Sequence, residues 1–395
     1  MAGTSKALAW LDAELSRLES DQLLRRIRTR GSAQGASIEI DGQRLLNFAS
    51  NDYLALAAEP AVLAAVREAT EPCGFGSGAS PLVVGRDSVH AELERTLAEF
   101  EGTEAALLFP SGFAANSGAI AALTGSGDVI FSDAKNHASL VDGCRLSNAA
   151  VQIYRHADAD HLESLLKNDA STGRRLIATD TLFSMDGDFA PLERIAELAD
   201  QYDAMLLVDE AHATGVFGDQ GRGVAEAVGV GDRIDIKIGT LSKALGAAGG
   251  FVAGSQSLID YLANRARSYV FSTASPAVLA SAALAALKIV QEEPSRRKDL
   301  LARAESLRTQ LTEQGWRLGD SASQIIPIYV GKPDVAVRLS EELAGRGFLI
   351  PAIRPPSVPA GESLLRLSLR WDHTPAMLEE LLAALAEVAE VKAPK

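Results

Sequence analysis

Four consecutive large apolar residues, 205–208, stand directly before Asp209 and constrain the fold of this 395-residue chain more than any other stretch. A strand whose side chains are all apolar is buried on both faces, and such strands occur in parallel sheets covered by helices. Other segments with strand character alternate with segments of helical periodicity along most of the chain. The alternation predicts an α/β protein with a wound, mostly parallel sheet.

Composition limits the class of protein and its partners. Hydrophobic residues make up 47% of the chain and charged residues 23%, which is typical of a globular protein. No apolar run is long enough to span a bilayer, and the net charge of −14 argues against a nucleic-acid or anionic-membrane partner. Residues 1–6 lack the pattern of a secretory signal, and Cys73 and Cys144 make no disulfide framework. We therefore expect a cytoplasmic protein.

Lys243 lies at the end of a second apolar strand, in a segment rich in hydroxyl and small residues. A partly desolvated lysine has a lowered pKa and can attack a carbonyl carbon, so this placement favours Schiff-base chemistry. The alternative is an ordinary lysine at the start of a helix that follows the strand. The sequence contains no His-x-x-x-His pair, which argues against a catalytic zinc site, and we expect no metal.

Asp209 and His212 follow the apolar run 205–208 and should lie at the carboxyl end of a strand, where α/β sheets bind ligands. An aspartate there can keep a pyridinium nitrogen protonated, which makes pyridoxal 5′-phosphate (PLP) an electron sink. Asp209 alone would also suit a strand-end cap or a Mg²⁺ ligand of a nucleotide-hydrolysing fold. No phosphate-binding loop ending in Gly-Lys-Ser/Thr precedes it, so the nucleotide hypothesis lacks support.

Other candidate cofactor residues also follow predicted strands. The backbone amides of Gly112 and Phe113 open a helix after the strand 105–109, which is a suitable site for a phosphate, although a normally capped helix start has the same pattern. His137 follows the strand at 129–132, where an imidazole can stack on a planar cofactor or simply cap a helix. Ser184 lies in a polar turn at the same predicted edge of the sheet.

Arginines near the two ends of the chain are candidate anion-binding residues. Three prolines between 353 and 361 restrict the backbone around Arg354 and Ser357, which suits a preorganised carboxylate clamp or, alternatively, a rigid linker. Arg25 belongs to an arginine cluster that ends at Arg30; such a cluster is usually a solvated face but can also hold a carboxylate or a phosphate.

Three segments organise the chain in our sequence-based prediction. They are an N-terminal helix and hairpin segment (1–50), a large cofactor-binding domain (51–290) and a C-terminal small domain (291–395). Within them, helical spacing predicts one helix over about 5–30, and the run from Tyr269 to Pro276 predicts a strand.

Six motifs together carry a resemblance that covers nearly the whole chain. They are Ser-Asn-Asp-Tyr-Leu (50–54), Phe-Pro-Ser-Gly-Phe-Ala-Ala-Asn (109–116), His-Ala-Ser-Leu (137–140), Phe-Ser-Met-Asp-Gly-Asp (183–188), Val-Asp-Glu-Ala-His-Ala-Thr-Gly (208–215) and Thr-Leu-Ser-Lys (240–243). In this order they resemble the α-oxoamine synthases, fold-type I PLP enzymes that condense an amino acid with an acyl thioester. The resemblance implies a large domain with a mostly parallel seven-stranded sheet and a small α+β C-terminal domain.

The resemblance also implies roles for individual residues. Lys243 carries the PLP aldehyde as a Schiff base, Asp209 pairs with the pyridine nitrogen, His137 stacks on the ring and also contacts substrate, and His212 contacts the phenolic oxygen. Cofactor or phosphate contacts are implied for Ser184, Thr240 and the backbone of Gly112 and Phe113. Family enzymes are homodimers with the active site at the interface, which implies that Ser272 and Thr273 reach the neighbour's phosphate. The substrate-contacting positions are Arg25, Asn51, Arg354 and Ser357.

The segment 353–361 looks most like the family member of the biotin pathway, which condenses L-alanine with a pimeloyl thioester. Ser357 stands where that member usually has threonine, and Ala79 replaces a glycine of its Gly-rich loop. The acyl donor, CoA or an acyl carrier protein, stays open. The alternatives are a glycine-using member, either 2-amino-3-ketobutyrate CoA ligase or 5-aminolevulinate synthase, then a serine palmitoyltransferase-like enzyme, and a PLP-binding protein without activity.

Overall fold

The described residues form two compact units in the computed structural model, which describes residues 6–390. Residues 1–5, where the predicted first helix begins, and residues 391–395 of the predicted small domain lie outside this range. One unit comprises residues 51–302, and the other combines the described residues up to Ser50 with those from Arg303 onward. We call them the large unit and the small unit.

Helices and strands alternate through most of the chain, in keeping with the pattern of the sequence. The helices are α1 (Trp10–Ser20), α2 (Pro60–Cys73), α3 (Ser88–Glu101), α4 (Gly112–Leu123), α5 (Ala138–Leu146), α6 (Ala159–Asn168), α7 (Leu192–Gln201), α8 (Val224–Ala227), α9 (Gln256–Arg265), α10 (Arg267–Val270), α11 (Ala277–Glu292), α12 (Pro294–Glu313), α13 (Pro333–Gly345) and α14 (Pro375–Glu390). The strands are β1 (Ser37–Ile40), β2 (Gln43–Asn47), β3 (Ala105–Phe109), β4 (Val129–Asp133), β5 (Ala150–Tyr154), β6 (Arg175–Asp180), β7 (Ala204–Asp209), β8 (Ile236–Thr240), β9 (Gly250–Gly254), β10 (Ile325–Gly331), β11 (Phe348–Leu349), β12 (Ala352–Ile353) and β13 (Ser363–Ser368).

A seven-stranded sheet with the order β3-β9-β8-β7-β6-β4-β5 is the centre of the large unit. Strands β5, β4, β6, β7 and β8 pair in parallel, whereas β9 pairs antiparallel with both β8 and β3. The central strands are fully or almost fully buried, as their continuous apolar sequences require. The predicted fold class, an α/β protein with a mostly parallel seven-stranded sheet, is confirmed.

The apolar core of the large unit lies between this sheet and the helices α4, α5, α9 and α10. Ile120 on α4, Leu140 on α5 and Leu262 on α9 are fully buried against strand residues such as Leu207 and Ile238. Helix α4 consists mostly of alanine, glycine and serine, so it packs closely against the sheet. The packing holds the N-terminus of α4 beside the carboxyl end of β8, since a Cβ on Gly112 would lie 3.5 Å from Thr240 Cβ.

The small unit contains two three-stranded sheets. One has the order β1-β2-β11 and the other β10-β13-β12. The hairpin predicted within residues 1–50 is present as β1 and β2, with Ser37 opposite Leu46. Within this unit the imidazole of His373 stacks on the ring of Phe48, with ring centroids 4.2 Å apart, and its Nε2 donates to the carbonyl of Asn47. The N-terminal and C-terminal segments of the chain therefore share one folded unit.

Two predictions of secondary structure were wrong. The helix expected over 5–30 ends at Ser20, because the chain turns at Gln22, whose φ of 59° is incompatible with a right-handed helix. The arginine cluster beyond it is not helical. The run from Tyr269 to Pro276 is not a strand: α10 ends at Val270, and an irregular segment follows. The β-propensity of Tyr269, Val270 and Phe271 was overridden by packing, since Tyr269 is buried against Phe109.

Candidate functional site

The carboxyl ends of β4, β6, β7 and β8 bring most of the predicted cofactor residues to one edge of the seven-stranded sheet. Asp180 of β6 lies opposite Asp209 of β7, and Asp209 lies opposite Ile238 of β8. His137 follows β4, Ser184 follows β6, and Lys243 follows β8. Parallel strands place these segments together, because all of their carboxyl ends point in one direction.

Lys243 lies in the irregular connection between β8 and β9 and is half-buried. It is not the first residue of a helix, so the alternative given for it is wrong. The hydroxyl of Thr240 donates to the carbonyl of Gly249 at 2.9 Å and contacts the hydroxyl of Ser242 at 2.8 Å, which ties the two ends of the connection together. Gly246 has a φ of 61°, and a Cβ there would lie 2.3 Å from the backbone nitrogen of Ala57. The loop that presents Lys243 therefore requires glycine.

The carboxylate of Asp209 is held from both sides. Its Oδ2 accepts a hydrogen bond from Asn116 Nδ2 at 2.6 Å, and its Oδ1 accepts one from the backbone nitrogen of Ala211 at 2.8 Å. Only 4% of Asp209 is exposed. Two N–H donors thus determine the orientation of this buried carboxylate, which suits the predicted role of Asp209 as the partner of a ring nitrogen.

His137 caps α5, which is one of the two roles that the sequence left open, and it also lies near Asp209 and Lys243. Its Nδ1 accepts from the backbone nitrogen of Ser139 at 3.2 Å and contacts Ser139 Oγ at 2.7 Å. Burial lowers the pKa of His137 and so does the charge of Lys243, while the charge of Asp209 acts in the opposite direction. A neutral imidazole is therefore favoured at this place.

Asp180 is a further acidic residue of this edge to which the sequence assigned no role. Its Oδ2 accepts a hydrogen bond from the backbone nitrogen of His137 at 2.7 Å. Burial raises the pKa of Asp180 well above its ordinary value, and the neighbouring charge of Asp209 raises it further. The pairing of Asp180 with the loop of His137 depends on strand register, which the sequence does not reveal.

His212 and Asn51 were predicted separately, and the structure joins them through Tyr53. The hydroxyl of Tyr53 lies 2.6 Å from His212 Nδ1 and 3.1 Å from Asn51 Oδ1. Both Tyr53 and His212 are buried. Tyr53 belongs to the motif at 50–54, but nothing in the sequence alone indicated that it would bridge two candidate site residues.

The remaining cofactor candidates of the large unit lie in two places. Gly112 and Phe113 form the first turn of α4, where Ser111 caps the helix through Ala114. Gly112 lies beside Thr240, and a Cβ on Gly250 would come within 2.4 Å of the nitrogen of Gly112, so the backbones approach closely. Ser272 and Thr273 line a small cavity of about 40 Å³ together with Leu241 and Gly249, in the segment that follows α10.

Three predicted substrate residues lie together in the small unit. Arg25 Nη2 approaches Ser357 Oγ at 3.4 Å, and Arg354 Nη2 donates to the carbonyl of Leu24 at 2.7 Å. Arg354 Nε is buried without a hydrogen-bond partner among the described residues. Burial lowers the pKa of Arg354, and so does the positive charge of Arg25. Arg25 and Arg354 line a cavity of about 780 Å³, whose other charged lining residues are Arg26, Arg28, Glu19 and Glu341.

The side chains at the sheet edge fit PLP. Lys243 offers an amine for the aldehyde, Asp209 an oriented carboxylate for the ring nitrogen, and the first turn of α4 free N–H groups for the phosphate, with Gly112 leaving room beside Thr240. Within residues 6–390, no group of three or more His, Cys, Asp or Glu side chains is arranged to hold a metal ion. Over the same residues, no helix is both long and apolar enough to cross a membrane.

Comparison with known proteins tests this reading of the fold and the cofactor. The family model described as aminotransferase class I and II matches residues 43–385. The chain belongs to this family. A curated relative from Anaeromyxobacter dehalogenans (strain 2CP-1), an 8-amino-7-oxononanoate synthase, is 49% identical over 97% of the chain and 96% of its own length. The resemblance recognised in the sequence is thereby confirmed.

Solved structures of the family agree with this assignment. A variant of serine palmitoyltransferase from S. paucimobilis with a bound PLP–myriocin aldimine has a TM-score of 0.93 at 31% identity and covers 98% of both chains. An 8-amino-7-oxononanoate synthase from Francisella tularensis has a TM-score of 0.76 at 27% identity over 88% of this chain and 98% of its own. The protein is therefore a fold-type I, PLP-dependent acyltransferase, which confirms the predicted cofactor and enzyme class.

Proposed function

We propose that this enzyme condenses L-alanine with a pimeloyl thioester to form 8-amino-7-oxononanoate, CO₂ and a free thiol, a step of biotin biosynthesis in the cytoplasm. The observation that carries the proposal is the relationship to curated 8-amino-7-oxononanoate synthases, 49% identical over 97% of the chain. In this reaction a carbon–carbon bond forms between the α-carbon of alanine and the thioester carbonyl carbon. The carbon–sulfur bond breaks, and the carboxyl group of alanine leaves as CO₂.

Bound PLP supplies the electron sink that makes the α-carbon acidic. In our proposal Lys243 holds the cofactor and then takes the α-proton on Nζ. The negative charge of Asp209 keeps the pyridine nitrogen protonated, and hydrogen bonds from Asn116 and Ala211 orient the carboxylate. His137 covers the ring as a neutral imidazole and contacts substrate. Phosphate or ring contacts are assigned to His212, Ser184, Thr240 and the amides of Gly112 and Phe113.

Arg354 is proposed to bind the carboxylate of the amino-acid substrate. Its Nε is buried and has no hydrogen-bond partner within residues 6–390, which supports this role, because a guanidinium offers paired donors that match a carboxylate. Arg25 and Ser357 adjoin each other at 3.4 Å, and we assign both to substrate binding, together with Asn51. The acyl donor is a pimeloyl thioester of either CoA or an acyl carrier protein.

The active enzyme is proposed to be a homodimer in which Ser272 and Thr273 bind the phosphate of the neighbouring subunit. An exposed apolar patch supports this assembly. Val83, Val84 and Phe271 are each more than 70% exposed, and the two segments that carry them are joined by a hydrogen bond from the nitrogen of Ala274 to the carbonyl of Ala79. A patch of this kind on a single chain marks an interaction surface.

Thiol release by the PLP-loaded enzyme tests the reaction. The assay pairs alanine, glycine and serine with pimeloyl-, acetyl-, succinyl- and palmitoyl-CoA, and with pimeloyl carrier protein. Release confined to alanine and a pimeloyl donor is the expected result. Release with glycine and a short acyl donor would assign the enzyme to a glycine-using branch of the family. Release with serine and palmitoyl-CoA would assign it to the serine palmitoyltransferase branch, an alternative that the structural similarity of this chain to a serine palmitoyltransferase favours.

A further inference from the structure

Helix α4 consists mostly of small and apolar residues, yet it buries an asparagine side chain. Asn116 lies in α4, 1% exposed, among alanines, glycines and serines. Its carbonyl oxygen Oδ1 is buried and has no hydrogen-bond partner among the described residues. An unpaired buried carbonyl costs free energy, so an asparagine is expected at such a position only if its amide nitrogen makes contacts that matter.

The amide nitrogen of Asn116 makes two such contacts. It donates to Asp209 Oδ2 at 2.6 Å and to Ser139 Oγ at 2.9 Å. The orientation of the amide follows from this pair, because the reverse orientation would set Oδ1 against the Asp209 carboxylate, and two acceptors repel each other. Both hydrogens of the nitrogen are thereby used.

These contacts also determine where the hydrogens of Ser139 and His137 lie. Ser139 Oγ already accepts from Asn116, so its own hydrogen is free to point to His137 Nδ1 at 2.7 Å. The backbone nitrogen of Ser139 also donates to Nδ1, at 3.2 Å, and a backbone N–H can only donate. Two donors face Nδ1, and this nitrogen must therefore be the acceptor.

We propose that Asn116 and Ser139 are positioning residues that couple Asp209 to His137 and hold the His137 imidazole as the neutral tautomer with its proton on Nε2. The inference rests on the proposed role of His137 at the cofactor. A second proton on Nδ1 would point at both donors of Ser139, so the network opposes the imidazolium form. Nε2–H remains as the donor on the opposite edge of the ring, available to an acceptor of the substrate.

The charged and titratable groups around His137 act with this network. Lys243 disfavours a second positive charge, while Asp209 favours it, and Asp180 accepts from the backbone of His137. Because Asn116 donates a hydrogen bond to Oδ2 of Asp209, it fixes the orientation of the carboxylate. One amide thus orients the two residues that are proposed to meet the ring of the cofactor.

The experiment is nitrogen NMR of the PLP-loaded enzyme labelled with ¹⁵N-histidine, with the His137 signals assigned through His137→Asn. The wild-type enzyme should show the neutral tautomer protonated on Nε2 at neutral pH. Ser139→Ala and Asn116→Ala should move His137 toward the other tautomer or raise the pH at which it titrates, and Ser139→Thr, which keeps the hydroxyl, should restore the wild-type state. Thr124→Val, a buried hydroxyl deletion at the end of α4, is the matched control.

The kinetic counterpart is a fall in kcat of about tenfold for either variant, with a smaller change in KM, as expected when a histidine loses an orienting partner. Three results would overturn the proposal: a wild-type His137 protonated on Nδ1, a charged His137 at neutral pH, or variants with the wild-type tautomer and titration. The wild-type spectrum tests the tautomer even if a variant does not fold. A protein with the expected tautomer that releases thiol only with glycine would keep this network and disprove the alanine assignment.

Discussion

At the scale of single residues, the proposed site has two kinds of side chain, those proposed to meet the cofactor and those that orient them. Asp209, His137 and His212 are proposed to meet the cofactor, whereas Asn116, Ser139 and Tyr53 act through these neighbours. Asn116, Ser139 and Tyr53 are fully or almost fully buried, and they hold the side chains that are proposed to meet the cofactor in one geometry. Rigid support of this kind is what precise proton transfer requires.

Asp209→Asn tests the electronic role of the carboxylate. The amide has nearly the same shape but cannot keep the pyridine nitrogen protonated, so we expect kcat to fall by at least about a hundredfold. Lys243 is intact in this variant, and the visible absorbance of bound PLP should persist after dialysis. Lys243→Ala should lose both activity and that absorbance, which separates electronic loss from loss of cofactor. Near wild-type turnover in Asp209→Asn would disprove the role of Asp209.

At the scale of elements, the imidazole of His156 connects the ends of three neighbouring strands, β4, β5 and β6. His156 follows β5; its Nδ1 contacts Asp133 of β4 at 2.9 Å and its Nε2 contacts Asp188 of the turn after β6 at 3.0 Å. Nearby, Lys135 of the loop after β4 forms an ion pair with Asp186 of the turn after β6 at 2.6 Å. The loop of His137 and the turn of Ser184 are thus tied together by charged contacts.

The charge of His156 should make stability depend on pH. Burial alone would lower its pKa, but the two carboxylates outweigh burial and raise the pKa to about 9. A raised folded-state pKa stabilises the protein fully below the unfolded value of about 6.5, and the gain is lost as pH rises through about 9. His156→Gln should therefore lower the free energy of unfolding by up to about 3 kcal/mol at pH 6 and by much less at pH 10.

Thermal unfolding of the PLP-loaded enzyme and of His156→Gln at both pH values measures this difference. Asp188→Asn removes one of the two carboxylates and should give an intermediate loss at pH 6. An equal loss of stability at pH 6 and pH 10 would show that His156 contributes by packing, for example against Phe183, whose ring centroid lies 4.4 Å away, and not by its charge.

At the scale of the whole molecule, the apolar patch formed by Val83, Val84 and Phe271 remains uncovered on the single chain. The adjoining Ser272 and Thr273 are assigned to a neighbour's phosphate in our proposal. Assembly and cofactor binding should therefore depend on the same surface.

Val84→Asp combined with Phe271→Glu tests that dependence. Burying two charges in an apolar contact should weaken the dimer by at least about a hundredfold and reduce the affinity for PLP with it. Light scattering after size exclusion and PLP titration give the two quantities. The matched control is Ile153→Glu, an exposed apolar residue of β5. A variant that stays dimeric would show that this patch is not the interface.

The sequence by itself determined the class of fold, the cofactor and the main candidate residues of the large unit. Continuous apolar strands required a parallel sheet, and polar residues directly after those strands had to meet at its carboxyl edge. Lys243, Asp209, His137 and Ser184 were found in this way because their position depends only on local order along the chain. The prediction of one helix over 5–30 was wrong because the spacing of apolar residues does not reveal a break in the helix such as the one at Gln22.

Only the tertiary structure decided which residues support these candidates. Asn116 reaches Asp209 across 93 positions of sequence, and Tyr53 reaches His212 across 159. Such contacts depend on strand register and on the packing of α4, to which many distant residues contribute together. A polar residue within a small, apolar helix is the one signal that would have indicated Asn116. The tautomer of His137 follows from that packing, because hydrogen-bond donors can be counted only once their partners are in place.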